Sequence, residues 1–126
     1  MRAVDSNVVV RLVVRDDPRQ TVVSENFIHG GAWVSLLAVA EAMWVLSKVY
    51  GLGSSEIATA IEMLLKHQDL VLQEPEVVTA ALELFRAKPA LKFSDCLIVQ
   101  LARKAGHLPL GTFDRNLARV EGAQKL

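Results

Sequence analysis

Apolar residues along this chain fall into two kinds of segment: short continuous runs, and longer stretches at helical spacing. Residues 2–5 and 32–34 are short runs, whereas after Pro75 apolar side chains recur three and four positions apart. Short runs are typical of strands in a parallel sheet, and the wider spacing is typical of amphipathic helices. Their alternation predicts parallel β-α units with helices on both faces of one sheet, a three-layer α/β/α fold.

Capping residues and glycines predict the ends of these elements. Asp17 followed by Pro18 starts a helix as N-cap and first helical residue, and Gly30 with Gly31 ends it. Residues 8–14 are ambiguous, because β-branched side chains favour a strand while the capping residues before them favour a helix; we predict a short helix. Two further helices are predicted after the caps Ser35 and Ser94, and two more begin at Ser54 and Pro75. A short helix is predicted over residues 115–120. The remaining predicted strands contain residues 71–72 and 108–112.

Composition limits the class of protein. With 126 residues, 52% of them hydrophobic, the chain predicts a single domain over residues 1–126. Lys plus Arg equals Asp plus Glu at 14 each, so net charge does not indicate a nucleic-acid or membrane-surface protein. Cys96 is the only cysteine, which excludes an internal disulfide and a thiolate zinc cluster. No segment resembles a signal peptide or a membrane span, so we expect a cytoplasmic protein.

Four carboxylates interrupt stretches that should otherwise be buried: Asp5, Glu41, Asp95 and Asp114. Glu41 is the only charged side chain in residues 36–46, and we expect it and Asp95 to point toward packed regions. Asp5 and Asp114 follow predicted strands, at the sheet edge where ligands bind in this architecture. Taken singly, each acid has an ordinary explanation as a turn, cap or edge residue. Together they predict one site for a hard divalent cation, which prefers carboxylate oxygens.

Other chemistries have less support. The three histidines lie in separate segments and not at ligand spacing, so a zinc hydrolase is not expected. No glycine-rich phosphate loop follows a predicted strand. Cys96 is expected to be a small buried side chain rather than a nucleophile, and Trp33 and Trp44 are expected to be core or interface aromatics. A phosphatase with an aspartyl nucleophile at Asp5 is disfavoured, since Asn7 cannot donate a proton as an acid would.

The four acids lie in four short segments, residues 5–8, 35–46, 93–98 and 111–117. These segments resemble the acidic motifs of PIN-domain ribonucleases. Within that family, the Asp-Asp-Pro segment at residues 16–18 looks most like the VapC toxins of bacterial and archaeal toxin–antitoxin pairs. The resemblance implies a five-stranded parallel sheet with a short last strand at residues 123–126. It also implies a Mg²⁺- or Mn²⁺-dependent endoribonuclease that forms a homodimer and is inhibited by a small VapB-like antitoxin.

The resemblance also implies roles for single residues. The catalytic acids and metal ligands would be Asp5, Glu41, Asp95 and Asp114. Asn7 and Thr112 would be supporting polar residues. Apart from the resemblance, three basic residues are candidate contacts for RNA phosphates, with a solubilising surface role as the alternative for each: Lys92, Arg115 and Arg86.

The chain departs from the family pattern at two positions. Ser94 stands where many relatives have alanine, and Asn116 stands where some have a further acid. Whether the site has a fifth acidic ligand is therefore an open question. Also open are a non-toxin nuclease, a metal-dependent phosphatase or DNA nuclease, and a catalytically silent binding module with this fold.

Overall fold

Short strands alternate with helices along the whole chain in the computed structural model, which describes residues 1–126. The predicted mixed α/β class is confirmed. The strands are β1 (Arg2–Val4), β2 (Ala32–Val34), β3 (Leu70–Leu72), β4 (Leu110–Thr112) and β5 (Ala123–Lys125). The helices are α1 (Ser6–Val14), α2 (Pro18–Ile28), α3 (Leu36–Lys48), α4 (Ser54–Lys66), α5 (Pro75–Ala87) and α6 (Phe93–Ala105), with a short 3₁₀-helix at Leu117–Arg119.

The first compact unit, Met1–Pro75, is built on a three-stranded parallel sheet in the order β1-β2-β3. The middle row of the sheet aligns Ala3, Trp33 and Val71, and the last row aligns Val4, Val34 and Leu72. The last row is buried, whereas the middle row is exposed, as expected when alternate residues of a strand point to opposite faces. Helix α1 packs against both α2 and α3 in this unit.

The second compact unit, Glu76–Leu126, contains most of α5, then α6, and a pair of parallel strands, β4 and β5. Its register aligns Leu110 with Ala123 and Thr112 with Lys125. The backbone hydrogen bonds therefore form one three-stranded sheet and one two-stranded sheet, and the predicted single sheet of five strands is not shown. Each strand has only three residues, so each ladder contains few hydrogen bonds. The single-domain assignment stays a prediction.

Most predicted element ends are confirmed by their caps. The Asp17 carboxylate accepts a hydrogen bond from the Gln20 amide at 3.0 Å, and Ser35 Oγ accepts one from the Ala38 amide at 3.0 Å. Gly106 ends α6 in the left-handed conformation, with φ of 79°. The prediction for Ser94 was wrong, because α6 begins at Phe93 and Ser94 lies inside its first turn.

Fully buried aliphatic side chains form the centre of the first unit, and two aromatic rings pack in the second. The rings of Phe85 and Phe93 meet edge to face, with centroids 5.8 Å apart. Complete burial of a large aliphatic side chain stabilises a fold by roughly 1.5–3 kcal/mol. No helix has both the length and the apolarity that a bilayer span requires. The fully buried side chains of the first unit include Ile28, Val34, Leu46, Ile61 and Leu64.

Candidate metal and nuclease site

Asp5 lies directly after β1 and is the N-cap of α1. Its Oδ1 accepts a hydrogen bond from the Val8 amide at 3.2 Å, which satisfies one of the amides left without a partner at a helix start. The residue is exposed. Because a carboxylate has two oxygens, this cap leaves Oδ2 for another ligand.

Glu41 lies in the middle of α3 and is exposed, so the expectation that it points into a packed region was wrong. The reason is its helix face: Leu37 and Trp44, one turn away on either side, are exposed as well. Glu41 nevertheless has a buried partner. The Ser6 hydroxyl donates a hydrogen bond to Glu41 Oε1, which links the first turn of α1 to α3.

Asp114 lies two residues after the end of β4 and is exposed. Its Oδ1 accepts hydrogen bonds from the backbone amides of Asn116 at 2.8 Å and Leu117 at 2.9 Å. Its own amide donates to Thr112 Oγ1 at 3.0 Å. This turn uses the residues up to Leu117, which is why the helix predicted over residues 115–120 is a 3₁₀-helix of three residues.

Asp95 is half-buried in the first turn of α6, where its amide donates to the Lys92 carbonyl at 3.1 Å. Burial raises the pKa of the Asp95 carboxyl above its ordinary value; the positive charge of Lys92 lowers this pKa, and the negative charge of Asp114 raises it. The structure therefore brings Asp95 and Asp114 into one electrostatic environment. A bound cation would favour the ionised form that burial disfavours.

The predicted acids divide evenly between the two units. Asp5 and Glu41 belong to the first, and Asp95 and Asp114 belong to the second. The structure contains no group of three or more His, Cys, Asp or Glu side chains arranged to hold a metal ion. A single site for all four acids therefore stays a prediction. Their chemistry fits Mg²⁺ or Mn²⁺, because every donor is a carboxylate oxygen.

The predicted supporting residues lie close to these acids in the chain. Asn7 is exposed in the first turn of α1, and Thr112 holds the amide of Asp114. Lys92 is exposed, and its charge acts on Asp95. Arg115 is exposed beside Asp114, whereas Arg86 lies in the last turn of α5. Lys92 and Arg115 are thus the basic residues nearest in sequence to the second pair of acids.

Ser6 is a residue of the candidate site that sequence reasoning missed. Helical spacing contained the signal, because Ser6 lies three and four positions before Val9 and Val10, which are buried. Ser6 therefore faces the packed side of α1 and Asn7 does not. Only the position of α3 in the fold makes Glu41 its partner.

The expectations for Cys96 and for the two tryptophans concern residues outside the acidic motifs. Cys96 is completely buried, as expected, and burial together with the charge of Asp95 raises the pKa of its thiol to about 12. Trp33 is 38% exposed and Trp44 is 57% exposed, so neither lies in the core, and the expectation that they are interface aromatics stays a prediction. The histidines form no metal-binding group, and His67 Nδ1 accepts a hydrogen bond from the Asp69 amide.

The family model for the PIN domain matches residues 2–123, so the chain belongs to the PIN domain family. PIN domains are generally nucleases and typically depend on a divalent metal. All four predicted acids lie within the matched residues. A comparison with curated proteins gives no match.

Proposed function

We propose that this protein is a metal-dependent endoribonuclease that hydrolyses RNA phosphodiester bonds and acts as the toxin of a toxin–antitoxin pair. One observation carries the proposal: a PIN domain match over residues 2–123, within which lie the four acids whose segments resemble the acidic motifs of the family. A member that serves only as a scaffold would have no need to keep all four. The acids named in this proposal are Asp5, Glu41, Asp95 and Asp114.

The proposed cofactor is Mg²⁺ or Mn²⁺ held by oxygens of these four acids. Asp5 and Asp114 suit this role, because the hydrogen bonds described above engage only one oxygen of each carboxylate. Asp95 suits it because burial and a neighbouring negative charge disfavour its ionised form, a cost that a cation relieves. A bound metal would activate water and neutralise charge that develops on the phosphate.

The remaining roles belong to the chain's own polar residues. The backbone amides that donate hydrogen bonds to Asp5 and Asp114 hold these carboxylates in place. Thr112 orients Asp114 through its amide, and Asn7 would support the first pair of acids. Lys92 would bind a substrate phosphate, since its charge already acts beside Asp95. Arg115 and Arg86 are further candidates for phosphate contacts.

The toxin role includes two protein partners, a second copy of the chain and a small antitoxin. Its first support is the resemblance of residues 16–18 to VapC toxins. In this structure Asp17 is the N-cap of α2 and Pro18 is its first residue. A second support is exposed apolar surface, which marks interaction sites when it is contiguous. Exposed apolar side chains on α2 and α3 include Val22, Val23, Leu37 and Trp44.

A nuclease assay on several substrates tests this proposal. The purified protein, free of any partner, should cleave RNA with Mg²⁺ or Mn²⁺ and should stop when EDTA is added. Asp5→Asn purified in the same way is the control for contaminating nuclease, because it keeps the helix cap. Cleavage of DNA alone would indicate a DNA nuclease, and hydrolysis of phosphate monoesters alone a phosphatase. RNA binding without cleavage would indicate a silent binding module.

A further inference from the structure

The contact between Ser6 and Glu41 joins a buried residue to an exposed one. Ser6 is only 6% exposed, yet its hydroxyl donates to the Oε1 atom of a carboxylate whose residue is exposed. A buried hydroxyl needs a hydrogen-bond partner, and a bond to a charged acceptor is stronger than one between neutral groups. The hydrogen bond from Ser6 to Glu41 should therefore be stable, and it gives Glu41 a fixed donor on a neighbouring helix.

The position of Ser6 in α1 makes Ser6 the fixed partner of this hydrogen bond and Glu41 the partner that it orients. Ser6 follows Asp5, the N-cap, so the hydroxyl is anchored in the first turn of a helix that packs against α3. A glutamate side chain has several rotamers and loses conformational entropy when it is fixed. The hydrogen bond from a buried donor that is held by the helix fixes the Glu41 side chain when the protein folds. The entropy is therefore lost before any ligand binds, which is preorganisation.

We propose that Ser6 is a positioning residue that holds the Glu41 carboxylate in the orientation needed for metal binding. This inference rests on the proposed function, in which Glu41 is a metal ligand. Ser6 acts through Glu41 and does not itself touch the metal or the substrate. Removal of its hydroxyl should therefore matter only while the Glu41 carboxylate is present.

A double-mutant cycle with a matched control tests this dependence. The variants are Ser6→Ala, Glu41→Ala, the double variant, and Ser24→Ala, because Ser24 is equally buried, at 7% exposure, in α2. For each variant, Mn²⁺ affinity is measured by calorimetry, kcat and KM by RNA cleavage, and folding by thermal melting. Loss of a residue that orients a metal ligand typically weakens metal binding or activity by roughly 10- to 100-fold.

The expected result is a weaker Mn²⁺ affinity and a lower kcat for Ser6→Ala, with KM for RNA unchanged. In the Glu41→Ala background, the same change should have no further effect on Mn²⁺ affinity. Ser24→Ala should bind Mn²⁺ and cleave RNA as the wild type does. Unchanged Mn²⁺ affinity in Ser6→Ala, the same fold loss in both backgrounds, or an equal loss in Ser24→Ala would overturn the inference.

The calorimetric cycle separates this inference from the proposed function. If the wild type binds Mn²⁺ but does not cleave RNA, the nuclease proposal fails and the cycle on Mn²⁺ affinity still decides the role of Ser6. If the wild type cleaves RNA and the cycle shows no coupling, only the role of Ser6 fails. If the wild type binds no Mn²⁺, both fail.

Discussion

The Asp114 carboxylate accepts a hydrogen bond from the backbone amide of Leu117 at 2.9 Å, so a proposed metal ligand also holds a turn of the backbone. The same oxygen accepts from the Asn116 amide at 2.8 Å. Asp5 combines the two roles in a similar way, with the Val8 amide as its partner at 3.2 Å. Loss of activity after removal of either side chain would therefore have two explanations, loss of the charge or loss of these hydrogen bonds to the backbone.

Two substitutions at Asp114 separate these explanations. Asp114→Asn keeps an oxygen that can accept both amides, so its free energy of unfolding should stay within a few tenths of a kcal/mol of the wild type. Asp114→Ala loses both hydrogen bonds and should be less stable by about 1 kcal/mol. Cleavage of RNA should fall steeply in both. Urea denaturation and cleavage rates measure the two effects, and full activity in Asp114→Asn would show that the residue only stabilises the turn.

Asp95→Asn should make the protein more stable while it abolishes activity. Since the pKa of Asp95 is raised in the folded state, the ionised carboxylate destabilises the fold at neutral pH. The neutral carboxyl causes no such loss, so its contribution to stability is fully present below its unfolded pKa of about 3.9. That contribution is lost as the pH rises through the pKa of the folded state. The gain from Asn at pH 7 should reach about 1 kcal/mol at most, because Asp95 is only half-buried and solvent screens its charge.

The pH dependence of that gain is its own control. Melting of wild type and Asp95→Asn is compared at pH 7 and again below pH 4, where the gain should disappear because the wild-type carboxyl is then protonated. A gain of the same size at both pH values would mean that shape or packing, and not charge, explains it. An unfolded Asp95→Asn protein would contradict the assignment of Asp95 to a metal site and indicate a structural role.

Added Mg²⁺ should raise the melting temperature of the wild type more than that of Asp5→Asn or Asp95→Asn. A ligand that binds only the native state stabilises it by mass action, with a gain of about 2.7 kcal/mol when its concentration is 100 times the Kd. Each variant removes one proposed ligand, so the Kd rises and the gain shrinks. Melting at a series of Mg²⁺ concentrations measures the difference, and an equal shift in all three proteins would contradict the proposed ligands.

Local chemistry explains why the elements could be predicted so closely. The side chains that cap α2 and α3 are the ones the sequence indicated, Asp17 and Ser35, because a cap depends on a few neighbouring residues. Ser94 shows the limit of this reasoning, since a residue suited to a cap is instead the second residue of α6. The exposure of Glu41 and Trp44 could not be predicted from the local sequence, because it depends on which face of α3 packs against other elements.

Expression of the protein alone should slow bacterial growth if it is a toxin. Uncontrolled cleavage of cellular RNA is harmful, so an active enzyme would need an inhibitor in the cell. The inactive Asp5→Asn protein, expressed to the same level, is the control because it keeps the cap on α1. Growth curves after induction measure the effect. Harmless expression of a wild-type protein that is active in the purified state would end the toxin assignment and leave the nuclease assignment intact.

The Cys96 thiol should be unreactive in the native protein. Its side chain is completely buried, and burial raises the pKa of the thiol to about 12, so the nucleophilic thiolate is rare at pH 8. Iodoacetamide should therefore alkylate Cys96 only through unfolding, and the reaction should become fast in denaturant. Mass spectrometry at timed intervals measures the modified fraction. Native alkylation at the rate of the denatured chain would contradict the burial of this helix face.

The same raised pKa predicts a loss of stability at alkaline pH. The stability that the neutral, buried Cys96 thiol contributes is full below the ordinary thiol pKa of 9.0 and is lost as the pH rises toward the pKa of about 12 in the folded protein. Cys96→Ala has no thiol to ionise, so its stability should fall less between pH 9 and pH 11. Urea denaturation of both proteins across this range isolates the thiol, because every other titrating group is shared. Parallel losses in the two proteins would show that Cys96 ionises in the fold as readily as in the unfolded chain.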